Sequence, residues 1–160
     1  MLLYHGSNVE VRHPRLFRND RRLDFGAGFY LTTSYAQAAK WAVLTTRRRG
    51  EGEALVSVFD FDETCLLRLN ILEFPSATVE WLRFVGGNRN GEPEDTSLDI
   101  VIGPVADDAT MPVLRRFFAD IYTEEEAIRR LKTQQLKDQY AFKTQTCLLY
   151  TSPSPRDPKT

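Results

Sequence analysis

Apolar and polar positions fall into blocks along the chain, and the period of each block predicts an element. Leu2, Leu3 and Tyr4 form a short apolar run, which predicts a buried strand. Residues 9–17 contain Pro14 and predict an extended segment or a loop. Residues 18–24 (RNDRRLD) are nearly all polar and predict a mobile surface loop. Gly26 and Gly28 interrupt regular structure, and the Phe29, Tyr30, Leu31, Thr32 run then predicts a strand. Tyr35, Ala38, Ala39 and Ala42 recur at helical spacing. Ser34 is a suitable N-cap, and Gly50 a stop after three arginines.

Residues 54–61 alternate, with Leu55, Ser57, Phe59 and Phe61 on one side and Val56 and Val58 on the other. Both faces read as buried. Residues 65–72 predict a further strand, and Ser76 the start of a short helix carrying Trp81, Leu82 and Val85. A polar loop covers residues 86–95, and residues 98–102 (LDIVI) predict a strand ended by Gly103 and Pro104. Thr110 precedes a helix with Leu114, Phe117, Phe118 and Ile121 on its apolar face. Thr123 and Glu126 form a capping box for a last helix with Ile128 and Leu131 inward. Residues 140–143 predict the final strand. Helices interrupt the strands unevenly, which predicts an α+β fold over a regular βαβ repeat.

The end of the chain reads differently. Residues 151–160 (TSPSPRDPKT) hold three prolines and no large apolar side chain, a composition that predicts disorder. Residues 147–157 also resemble a translated sequencing-adaptor read-through. The expected functional domain therefore spans residues 1–146, with 147–160 a disordered and artefactual tail lacking the natural C-terminus.

At 160 residues the chain predicts one domain. A chain of this size buries roughly 70% of its unfolded surface and needs no covalent staple. The formal net charge of −1 argues against duplex nucleic acid as the main partner. Cys65 and Cys147 are too few for a disulfide scaffold and form no C-x-x-C pair, so reduced thiols in the cytoplasm are expected. The N-terminus lacks the basic start of a signal peptide, and no apolar run approaches a membrane span.

Two segments carry candidate chemistry. Tyr4-His5-Gly6-Ser7 places an imidazole at a strand end, beside a glycine that lets a ligand approach the backbone and a hydroxyl. A turn with a surface histidine has the same composition. The second segment runs from Asp24 to Thr33. Gly26 and Gly28 do not make a dinucleotide fingerprint, because the third glycine is absent and they precede a strand. They act instead as a hinge delivering Tyr30, which Trp41 on the following helix could join in sandwiching a planar ligand. Two core rings would read the same way. The arginine run 47–49 reads as a solvated helix end or a phosphate contact. There is no P-loop, no nucleophile elbow and no zinc-ligand spacing.

The order of YHGS, G-x-G-F-Y-L-T and a helix with a large aromatic eleven residues after the tyrosine resembles the ADP-ribosyltransferase superfamily, which includes diphtheria-type toxins and poly(ADP-ribose) polymerases. With residues 98–107 and 138–144, the match is similar to a bacterial family within it, the DUF3990 proteins. The resemblance implies split antiparallel β-sheets with flanking helices and a nicotinamide cleft between them. It implies that His5, Tyr30 and Gln139 are the catalytic triad. His5 would bond the adenosine ribose, and Tyr30 and Trp41 would stack on nicotinamide. Gly6, Ser7 and Gly28 would contribute to holding the dinucleotide.

Gln139 departs from the glutamate of polymerising members. It keeps an acceptor oxygen but loses the charge, and losing electrostatics of this kind typically costs ~10²–10³ in rate. Chain elongation is not expected. The expected function is an NAD-dependent mono-ADP-ribosyltransferase-like activity, with NAD as substrate and release of nicotinamide. The acceptor stays open among protein, nucleic acid and small molecule. The alternatives are a non-catalytic NAD- or nucleotide-binding module and a structural interaction domain. On this reading Gln139→Glu should raise turnover.

Overall fold

The computed structural model describes residues 1–16, 23–132 and 136–154. Two sheets form its centre. One joins β1 (Leu2–Ser7), β3 (Leu55–Phe61) and β7 (Thr151–Pro153) in the order β1-β3-β7, all antiparallel. The other joins β2 (Phe29–Leu31), β6 (Asp138–Phe142), β5 (Ile100–Pro104) and β4 (Ile71–Glu73) in the order β2-β6-β5-β4. Its β4–β5 pair is parallel and its other pairs are antiparallel. The mixed α+β class is as the sequence predicts. The helices are α1 (Tyr35–Arg49), α2 (Val79–Arg89), α3 (Met111–Phe118), α4 (Glu124–Leu131) and α5 (Gln145–Leu148).

The two-residue period of each strand sorts its side chains into layers. Leu3, Phe59 and Phe61 from the first sheet meet Phe29, Leu31, Ile100, Ile102, Tyr140 and Phe142 from the second in one apolar cluster. Val101 and Ala141, on the other face of the second sheet, pack with Trp81, Leu82, Leu114 and Leu131 from α2, α3 and α4. The outer face of the first sheet is covered by α1. Contact there is so close that a Cβ on Gly6 would lie 1.8 Å from the Ala38 carbonyl oxygen. The layers are therefore α1, sheet, sheet, and α2 to α4.

Local signals account for most boundaries. Ser34 accepts from the Gln37 amide, and Gly50 ends α1 at φ 68°. Thr123 accepts from the Glu126 amide, but the Glu126 carboxylate turns to Arg129 and Arg130 instead of closing a capping box. Several expectations are corrected. Residues 63–67 form a 3₁₀ turn before β4, not a strand. The second helix starts at Val79 behind Thr78, not at Ser76. Ile121 lies outside α3 and is exposed. Asp120, at φ 59°, ends the helical period before reaching it.

The tail is also corrected as far as it is described. Cys147 and Leu148 are buried, and Thr151 to Pro153 pair with Phe59 to Phe61. Residues 17–22, which hold most of the expected mobile loop, and residues 155–160 lie outside the described residues.

Candidate site at the split between the sheets

The edges of the two sheets meet at one point. Tyr4 and Thr32 exchange backbone hydrogen bonds of 2.8 and 3.0 Å, and this bridge is isolated. In an antiparallel ladder the N–H and C=O of alternate residues point to the same edge. Gly6, two residues after Tyr4, therefore turns its N–H and C=O toward β2 and not into the β1–β3 ladder. Tyr30, two residues before Thr32, turns its own groups toward β1. The pairing does not continue, so these backbone groups face a break between strands.

His5 occupies part of that break. Its Nδ1 lies 2.7 Å from the Tyr30 carbonyl oxygen, and its ring stacks on Phe29 at a centroid distance of 4.1 Å. A carbonyl only accepts, so Nδ1 carries the hydrogen and Nε2 is left as an acceptor. Burial lowers the His5 pKa to about 4, the bond to Tyr30 opposes that shift, and the Arg49 charge adds to it. The imidazole is neutral at pH 7.

The Tyr30 side chain is fixed on the opposite face of β2. Its hydroxyl donates to the Gly26 carbonyl at 2.6 Å and accepts from the Phe25 amide at 2.9 Å. Gly26 has φ 77°, a conformation that favours glycine and lets the chain fold back over the phenol. Burial, foremost, raises the Tyr30 pKa well above its usual value, so the phenol stays protonated.

Gln139 lies on that same helix-facing side, two residues from Ala141, the partner of Tyr30. Its Nε2 donates to Asp24 Oδ2 at 3.0 Å and to the Pro104 carbonyl at 3.3 Å. Both partners are acceptors, so the amide orientation is set and its carbonyl oxygen points away from them. Asp24 is buried and accepts from Arg89 Nε at 2.7 Å and from the Ala106 amide at 2.9 Å. Arg89 Nη2 also contacts the carboxylate.

The structure thus ties Tyr30 and Gln139 to one turn, Tyr30 to Phe25 and Gly26 and Gln139 to Asp24, and joins His5 to Tyr30 through the backbone. It does not place the three side chains in one hollow. The imidazole lies on the inter-sheet side of β2, and the phenol and amide lie on the helix side. Trp41 is half-buried on α1, and no ring contact joins it to Tyr30 among the described residues. Ser7 is buried and donates to Asn8 Oδ1 at 3.4 Å. Gly28 packs on β6, where a Cβ would meet the Phe142 carbonyl at 3.1 Å. Arg89 went unmarked in the sequence, because nothing local pairs it with an aspartate 65 residues earlier.

Fold and site together define a mixed α+β domain of two facing sheets, with backbone groups of β1 and β2 turned toward the break where those sheets part. The model of the family described as "Protein of unknown function (DUF3990)" matches residues 1–151, and the chain belongs to that family. Among curated proteins and solved structures, no match is found. No helix among the described residues is long and apolar enough to cross a membrane.

Proposed function

We propose that this chain is an ADP-ribosyltransferase-type protein that binds NAD at the β1–β2 split and transfers ADP-ribose to an acceptor, releasing nicotinamide. The observation that carries this reading is the pair of Gly6 backbone groups facing the break. A carboxamide carries one acceptor and one N–H donor side by side, so it complements such a pair in the manner of a strand edge. The nicotinamide carboxamide would accept from the Gly6 N–H and donate to its C=O. His5 Nε2, an acceptor on a neutral ring, suits a hydroxyl of the adenosine ribose. The Gln139 carbonyl oxygen suits a hydroxyl of the second ribose. Trp41, on the helix that covers Gly6, is the ring to stack on nicotinamide.

In the reaction, the bond from C1′ of the ribose to the nicotinamide nitrogen breaks, and its electron pair neutralises the pyridinium. The acceptor's nucleophilic atom bonds to C1′ and releases its proton. Positioning and the dipole of Gln139 assist this step, with no full charge at position 139 to stabilise the cationic sugar. That neutrality favours the second reading, an NAD-binding module without turnover.

Incubation of the protein with NAD, followed by quantification of free nicotinamide and of the melting temperature, tests the proposal. Nicotinamide release that Trp41→Ala diminishes supports the transferase. A raised melting temperature without release supports the module. No change in either, at millimolar NAD, removes both.

A further inference from the structure

We propose that Asp24 is the positioning residue of this site, and that it makes position 139 an amide. This inference rests on the reading of Gln139 as the acceptor for a ribose hydroxyl. Asp24 Oδ2 receives two donors, the Ala106 N–H at 2.9 Å and Gln139 Nε2 at 3.0 Å, and Oδ1 receives Arg89 Nε at 2.7 Å. The Ala106 amide and the guanidinium have no acceptor to offer. Three donors therefore require a carboxylate at position 24, and that carboxylate in turn requires a donor at position 139. The Pro104 carbonyl makes the same demand, because it already accepts from Trp81 Nε1 at 3.0 Å and receives Gln139 Nε2 at 3.3 Å.

The orientation of the Gln139 carbonyl oxygen follows. With its nitrogen held by two acceptors, the amide has only its oxygen left to offer a ligand. The site is selective for a hydroxyl donor, the chemistry of a ribose. It does not supply a negative charge to a cation.

A glutamate at position 139 would set its carboxylate against Asp24 Oδ2 and the Pro104 carbonyl. Only the protonated acid could replace the amide, donating O–H to Asp24 and presenting C=O outward. The charged and titratable groups facing this position are Asp24 from the turn before β2, Arg89 from α2, and Tyr30 from β2. Tyr30 is uncharged across the relevant range. Asp138 turns instead to Thr33, and Lys143 to Glu94. Arg89 is already bound to Asp24, so the added carboxylate lacks a cation of its own.

The test compares the wild-type chain with Gln139→Glu and Gln139→Met at pH 5 and pH 8, reading melting temperature and NAD affinity. For Gln139→Glu the proposal expects a melting temperature about 2–4 °C lower, relative to wild type, at pH 8 than at pH 5. It also expects NAD affinity close to wild type at pH 5 and about tenfold weaker at pH 8, the loss of roughly one net hydrogen bond. Gln139→Met, which cannot titrate, should show the weakened affinity at both pH values. A Gln139→Glu protein with the pH profile of wild type in both readouts overturns the proposal. If wild type does not bind NAD, the proposed function fails alone. The melting-temperature profile then still decides whether Asp24 dictates the residue at 139.

Discussion

The His5 imidazole stands in for a strand: its Nδ1 reaches the Tyr30 carbonyl at 2.7 Å, where a backbone N–H of β1 would have bonded had the ladder continued. The carbonyl stays paired, and the two sheets part at that point without an orphaned acceptor.

Burial of this ring, against the opposing pull of the Tyr30 bond, makes stability depend on pH. The folded pKa of His5 is lowered to about 4 from the usual 6.5, so below pH 6.5 the unfolded chain takes up a proton that the folded chain refuses. The contribution is intact above pH 6.5, shrinks as pH falls toward 4 and is flat below. The largest loss is about 3 kcal/mol. His5→Asn, which keeps a donor near Nδ1 but does not titrate, should flatten this segment of the curve in urea unfolding.

Gly6→Ala should be among the most damaging substitutions in β1. Its Cβ would lie 1.8 Å from the Ala38 carbonyl and 2.8 Å from the Ala42 nitrogen, both backbone atoms of α1. Overpacking against backbone costs about 3 kcal/mol. Urea midpoints of the variant and wild type measure it, and an unchanged midpoint would mean that α1 does not rest on β1.

These two residues also show what the sequence could reveal. YHGS marked Gly6 for close approach by a ligand, and the close approach in the structure is by α1. Periodicity identified β3 and α1 because one apolar pattern runs through each. It missed the end of α3 because Phe117, Phe118 and Ile121 keep helical spacing across Asp120, whose positive φ breaks the helix. It missed the 3₁₀ turn at residues 63–67, where Asp62 caps Thr64 and draws an apolar run out of extended geometry. The link of Gln139 to Asp24 and Arg89 was illegible, since the three come from distant segments and no local pattern joins them.

Arg89→Gln should destabilise the protein by about 3 kcal/mol, because it leaves the buried Asp24 carboxylate without its cation. Chemical unfolding at pH 7 checks this. A change below 0.5 kcal/mol, roughly that of an ordinary surface site, would mean that the pair is not formed in solution.

Leu148→Ala should cost about 2–3 kcal/mol, because Leu148 is 4% exposed and packs in the inter-sheet cluster. Unfolding midpoints decide it. No loss would mean that residues 147–154 do not pack on the sheets.

The position of the ligand is read most directly from amide chemical shifts. In a ¹H–¹⁵N correlation spectrum titrated with NAD, the Gly6 and Tyr30 amides should move saturably with a common affinity, and nicotinamide alone should move Gly6. Saturable shifts confined to other parts of the chain, or no shifts at millimolar NAD, would contradict a binding site at the β1–β2 split.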